Sequence, residues 1–198
     1  HPATTGDILA HAETYRMGNY SKIYESVKPA LASADLCFGN LEIPVVDTLP
    51  LSTYPRFNVH TPYVRAAVDA GFTVFSLANN HANDQGSAGI LSTRKLLASM
   101  QPQVHSTGLR QFENEPMRPV IMKVRGREII FLAVTEILNS YDKSSRLVYY
   151  VSPKKNERDA FLSEISRIRR AAPSALFVLS IHLNEPEYVR TVNAEKRA

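Results

Sequence analysis

The chain has 198 residues, 44% of them apolar and 21% charged, a balance that excludes collagen-like, fibrous and disordered classes. Its single cysteine, Cys37, excludes an internal disulfide framework and a multi-cysteine zinc site, and no apolar run approaches the roughly 18–20 residues that span a bilayer. The net charge of +4 is uneven: residues 1–99 hold 7 Lys/Arg against 8 Asp/Glu, and residues 100–198 hold 16 against 11. The basic residues of the second half alternate with Glu157, Asp159 and Glu164, the pattern of a solvated helix face and not of a nucleic-acid stripe, so nucleic acid is not expected as a partner. The length favours one domain over 1–198. Because the chain opens on His1-Pro2, any targeting segment is expected to have been removed upstream.

In chain order, residues 21–33 place Ile23, Val27 and Leu31 at steps of four and predict a helix. DLCFGNL (35–41) lacks that period and reads as a buried strand. Pro62 suits the first turn of a helix with Val64, Ala67 and Val68 inward and Gly71 just past its end. FTVFSLA (72–78), rich in aromatic and β-branched residues, predicts a strand, and residues 86–100 carry Ile90 and Leu97 at helical spacing. Residues 120–124 and 128–134 flank Arg125-Gly126-Arg127 as a hairpin. NSYDKSSR (139–146) reads as an exposed loop. Residues 152–172 include a helix with Phe161, Leu162, Ile165 and Ile168 inward, and ALFVLSI (175–181) is again a continuous apolar strand. Strand–helix alternation of this kind predicts an α/β fold with central strands covered on both faces.

Four polar clusters lie within or just after these strands: Gly6-Asp7 with His11, Gly39-Asn40-Leu41-Glu42, residues 79–84 (NNHAND) and His182. The carboxyl ends of strands in α/β sheets border the ligand crevice, so the clusters can converge there. Polar groups ending apolar strands are costly without partners, and one shared partner would be a metal held by oxygen and imidazole. Asp7 and Glu42 offer anionic oxygen and Asn80 a carbonyl oxygen, while His11 and His182 offer imidazole; His81 is then free to give a proton to a leaving oxygen. Such a donor set suits Mn, Fe or Zn. Each piece also has a plainer role: Asp7 as a cap, Asn40 and Glu42 as a polar turn, 79–84 as a loop and helix start, His11 and His182 as ordinary histidines. His60 and His105 stand outside the clusters, and Cys37 reads as a small core residue.

TTGDIL (4–9), ADLCFGNLEIPV (34–45) and the stretch from YPRFN to GILST (54–93), with SLANNH-x-x-D-x-G inside it, resemble the CapA family of bacterial capsule or poly-γ-glutamate synthesis proteins. HSTG (105–108), EIIFLAVTE (128–136) and FVLSIH (177–182) continue the match. The resemblance implies a calcineurin-like metallophosphoesterase sandwich, two packed β-sheets flanked by helices and incomplete at the C-terminus. It implies Asp7, Glu42, Asn80, His182 and, at a different spacing, His11 on metal, with His81 near the scissile bond. His182 is followed by Leu183-Asn184-Glu185-Pro186-Glu187-Tyr188 where the family reads His-Trp-Gly-x-Glu-Tyr. The family's later Gly-His-His-Pro-His motif would fall beyond Ala198, after a helix beginning within 193–198. Two divalent metals are therefore expected in the intact protein and weak or absent metal in this fragment, with a homodimer through exposed sheet surface.

Two functions follow from this reading. One is a metal-dependent hydrolase or transferase of envelope polymer, partnered by an anionic exopolymer or its synthesis machinery at the bacterial envelope, periplasm or outer face. The other is a non-catalytic protein that keeps the fold and holds or exports an anionic chain, aided by the basic second half.

Overall fold

The computed structural model describes Pro2 to Asn184, so the expectations for residues 185–188 and 193–198 lie outside the described residues. Among the described residues, seven strands form two sheets. The first is wholly parallel, in the order β1 (Pro2–Ile8), β2 (Leu36–Leu41), β3 (Val74–Ser76), β4 (His105–Thr107). In the second, β6 (Arg127–Thr135) pairs antiparallel with β5 (Val120–Val124) and parallel with β7 (Leu176–His182). Parallel neighbours need crossovers, and the chain supplies them: α1 (Ala12–Arg16) and α2 (Lys28–Ala32) precede β2, α3 (Thr61–Ala70) precedes β3, α4 (Gly86–Ser99) precedes β4, and α5 (Lys155–Ala171) joins β6 to β7.

Alternation along β2 assigns its faces. Cys37 reaches the helical layer, its thiol donating to the Leu31 carbonyl at 3.2 Å, whereas Phe38 meets Phe131 of β6 with ring centroids 5.2 Å apart. The two sheets therefore pack on one another through the face that carries Phe38 and Asn40. Gly39 lets β1 and the helical layer close in, since a Cβ there would lie 2.6 Å from Ile8 Cδ1 and 3.0 Å from the Phe72 ring. One continuous core of buried side chains, including Phe57, Phe75, Phe131 and Leu132, crosses both sheets. Each buried ring is worth about 1.5–3 kcal/mol relative to exposure.

Most elements stand where the residue pattern puts them. α3 begins with Pro62 in its first turn and ends at Gly71, whose φ of 121° stops the helix; the carboxylate of Asp47 caps its start by accepting from Thr61 N and Oγ1 at 2.7 and 2.6 Å. Val124 pairs with Arg127, so the hairpin turn is Arg125-Gly126, both with positive φ (47° and 80°), as a primed two-residue turn requires.

Four expectations are corrected. Residues 21–33 form a 3₁₀ turn at Tyr20–Tyr24 and then the short α2, because Pro29 lacks the N–H to continue one helix; Ile23 and Val27 are exposed and only Leu31 of the stripe is buried. In α5, Ile168 is buried and Phe161 and Ile165 are partly so, but Leu162 is 54% exposed. β7 pairs only with β6 among the described residues, and with no further strand described beside it Leu176 and Ile181 are exposed, although ALFVLSI is a continuous apolar run of the kind expected in a covered central strand. Finally, residues 139–146 are not a free loop: they include part of a 3₁₀ turn (Lys143–Leu147) with Ser144 buried. The charged face of α5 agrees with its reading, with Lys155–Asp159 and Arg167–Glu164 pairs on the exposed side. No helix among the described residues is long and apolar enough to cross a membrane.

Candidate functional site

The carboxyl ends of β1, β2 and β7 meet between the sheets. A register shift between Thr4 and Asp7 sets Asp7 opposite Asn40, and Glu42, one residue past the end of β2, points its carboxyl to the same side as Asn40. His182 is the last residue of β7. Ligand atoms of Asp7, Glu42 and His182 all lie within 4.8 Å of one another, with His182 Nδ1 4.0 Å from Glu42 Oε2. Asn40 organises them. Its Nδ2 donates to Asp7 Oδ1 (2.8 Å) and Glu42 Oε2 (2.9 Å) and lies 3.5 Å from His182 Nδ1, while its Oδ1 accepts from Asn79 Nδ2 at 3.1 Å. Two carboxyl groups are thus held together by one fixed amide.

A second group comes from the turn between β3 and α4. His81 Nδ1 stands 2.7 Å from Asp84 Oδ2, which also accepts from Phe57 N at 2.8 Å. A carboxylate can only accept, so the imidazole hydrogen belongs on Nδ1 and Nε2 is left for a second partner. The Asn139 amide nitrogen lies 3.1 and 3.4 Å from the two ring nitrogens, and the Phe57 ring packs edge-on against His81 at 4.7 Å. Residues 139–144 are stitched to this turn: Asn139 N donates to Asn80 O (3.0 Å), and Asn83 Nδ2 donates to Ser140 O (2.9 Å) and Ser144 Oγ (3.0 Å). The two groups border one cavity of about 970 Å³, whose lining includes Asp7, Glu42, Asn80 and His81.

Burial, reinforced by the neighbouring Asp7 and then Asp84 charges, pushes the Glu42 carboxyl up to about 8. Burial lowers the His182 imidazole, against the opposing pull of Asp7. An acidic pair of this kind favours a cation between its members. The side-chain oxygen of Asn80 adds to that: it is buried without a hydrogen-bond partner among the described residues, on the cavity that Asp7 and Glu42 also line. Two carboxylates, an imidazole and an amide oxygen fit a divalent ion of the Mn, Fe or Zn type.

Of the residues singled out in the sequence, Asp7, Glu42 and His182 converge, Asn80 and His81 line the same cavity, and His11 stands apart from the three. It is exposed on the cavity wall, its ring edge-on to Phe57 at 5.4 Å. Cys37 is buried in the core. Sequence reasoning missed Asp84 as the partner of His81, although its i+3 spacing in a turn was a usable signal. It also missed Asn40 as the link between carboxylates and Asn139 as a wall, neither of which has a local signature.

Residues 3–198 match the family model described as bacterial capsule synthesis protein PGA_cap. The capsule biosynthesis protein CapA of Bacillus anthracis is 30% identical over 120 residues, 58% of this chain and 28% of that protein. The crystal structure of a hypothetical protein from Thermus thermophilus superposes with a TM-score of 0.51 at 12% identity, over 93% of this chain and 58% of that one, a likeness of fold. The chain spans less than two thirds of the length of either.

Proposed function

This chain belongs to the PGA_cap family of bacterial capsule synthesis proteins, and on that premise we propose that its cavity serves a metal-dependent hydrolase or transferase acting on a phosphoester or acyl bond of an envelope polymer. The surrounding fold is then a sandwich of the calcineurin-like metallophosphoesterase kind, working at the bacterial envelope beside the polymer or its synthesis machinery. The observation that carries the reading is the convergence of Asp7, Glu42 and His182 within 4.8 Å, across one cavity from a histidine held by a carboxylate. Asp7, Glu42, His182 and Asn80 would hold the cation. When bound, it would supply Lewis-acid polarisation of a phosphoryl or carbonyl oxygen.

The chain's own residues do the rest. Asp84 fixes the His81 ring and stabilises it when protonated, so that Nε2 can pass a proton to the leaving oxygen. The Phe57 N–H holds Asp84 in place. Asn40 holds the two carboxylates together and aimed, which lowers the cost of assembling the donors when the cation arrives.

Titration of the protein with Mn²⁺ or Zn²⁺ tests this. Intact wild-type protein is expected to bind and to turn over bis(p-nitrophenyl) phosphate only with metal present. Asp7→Asn is expected to weaken binding by at least about 100-fold, more than the loss of an outer hydrogen bond. No metal binding in wild type, or equal affinity in Asp7→Asn, overturns the reading and leaves the polymer-holding function. Asn40→Ala separates ligand from organiser: metal affinity should fall by about 10- to 100-fold while metal still binds. An unchanged affinity would show that Asn40 does not position the carboxylates.

A further inference from the structure

We propose that Arg56 is the anion-binding subsite of this cavity, selecting substrates that carry a carboxylate or phosphate group beside the bond on which His81 acts. The inference rests on the cavity being the site of chemistry. It adds the residue that recognises the anionic group of such a substrate.

The lining of the cavity is acidic, with Asp7, Glu42, Asp84 and Asp142, and Arg56 is the one Lys or Arg among the described residues that border it. A negatively charged polymer would be repelled from such a wall unless a fixed cation received it. Arg56 is built to be that cation. Its Nε donates to the Asp84 carbonyl at 3.1 Å, and its own carbonyl accepts from Ser52 Oγ at 2.8 Å. The next residue, Phe57, donates its N–H to the Asp84 carboxylate and gives its carbonyl to Gln85 Nε2 at 2.8 Å. The Arg56 side chain and the backbone of the next residue are therefore both tied to the turn that carries His81.

With Nε engaged, the guanidinium plane is set, while among the described residues no partner takes the donors of the two terminal nitrogens, which stay free for a ligand. That edge presents parallel N–H groups matched to the two oxygens of a carboxylate or phosphate. Hydrogen bonds from Ser144 and then Ser140 hold the Asp142 carboxyl below its usual range, and the Arg56 charge makes a small further contribution. The Asp142 carboxylate is turned to Ser144 N and Oγ and to Ser140 Oγ, and among the described residues it forms no direct ion pair with Arg56. An anionic group on the Arg56 fork would be fixed relative to His81, because Asp84 anchors both side chains.

Calorimetric titrations at low ionic strength with Mn²⁺ present test the assignment, using tetraglutamate, tetraglutamine and a tetrapeptide of phosphoserine as probes. Arg56→Ala should weaken the anionic probes by about 10- to 100-fold, the loss of a charge-assisted bidentate contact, with Arg56→Lys between it and wild type. Arg65→Ala removes an equal charge from the exposed face of α3 and should leave all affinities unchanged. A loss confined to tetraglutamate assigns the subsite to carboxylates, and one confined to phosphoserine assigns it to phosphates. Equal binding of both anions by wild type and Arg56→Ala, no binding by wild type, an equal loss in Arg65→Ala, or a similar loss for tetraglutamine overturns the proposal. Mn²⁺ affinity in Arg56→Ala should match wild type. Failure of the metal reading would appear separately, as absent Mn²⁺ binding in wild type.

Discussion

Replacing His81 by Gln or Ala is expected to lower turnover by about 10²- to 10⁴-fold while leaving Mn²⁺ affinity within about threefold of wild type. The ring lies 7% exposed against Phe57, so His81→Gln is the cleaner variant, keeping most of the volume and a polar tip. Turnover of bis(p-nitrophenyl) phosphate and metal titration, run on the same preparations, read the two effects apart. Loss of metal in both variants would make His81 a ligand. Unchanged turnover in both would make the Asp84–His81 pair a structural brace for the turn. Asp84→Asn should give an intermediate loss, because an amide no longer demands the Nδ1–H tautomer and cannot stabilise the protonated ring. Its pH–rate profile should move accordingly, a change that mere loosening of the turn would not produce.

What could be read in advance was whatever local pattern controls. α3 declares itself through Pro62, Gly71 and one apolar face, and the β5–β6 turn through Gly126. The stripe of Ile23, Val27 and Leu31 misled because a single proline, Pro29, outweighs a period of four. β1 gave no strand signal: PATTGDI is mostly exposed, and it is a strand only because β2 offers its edge. β4 is likewise three residues fixed by pairing with β3. The ligand candidates were legible as residue types, Glu42 and His182 also as polar ends of apolar strands, yet their meeting depends on the packing of two sheets, which no spacing encodes. His11 shows that limit. Four residues from Asp7, it looks like a companion ligand, but a helical start turns it to the Phe57 side of the cavity. The loop 139–144 shows the converse, for polar residues that read as solvated are instead consumed in binding Asn80 and Asn83.

Glu42 gives the protein a pH signature that a cation should erase. Its carboxyl is raised from 4.5 to about 8, first by burial and then by Asp7. Below pH 4.5 the folded and unfolded chains both hold this proton, and the group contributes no difference. Between 4.5 and 8 the folded chain keeps a proton that the unfolded chain has released, so stability falls as pH rises; above 8 the full penalty persists. Allowing for partial solvent screening, the loss from this one group is about 3 kcal/mol in protein stripped of divalent metal. His182, lowered by burial, acts oppositely below its usual range near 6.5, which leaves the interval from 6.5 to 8 as the clean window for Glu42. Urea unfolding across that interval should show wild type weakening with pH in chelator, Glu42→Gln nearly flat, and wild type with Mn²⁺ nearly flat as well, because a cation favours the ionised pair. A slope unchanged by Glu42→Gln would place the titrating group elsewhere. A slope unchanged by Mn²⁺ would mean that the charge on Asp7 and Glu42 is not what the ion meets.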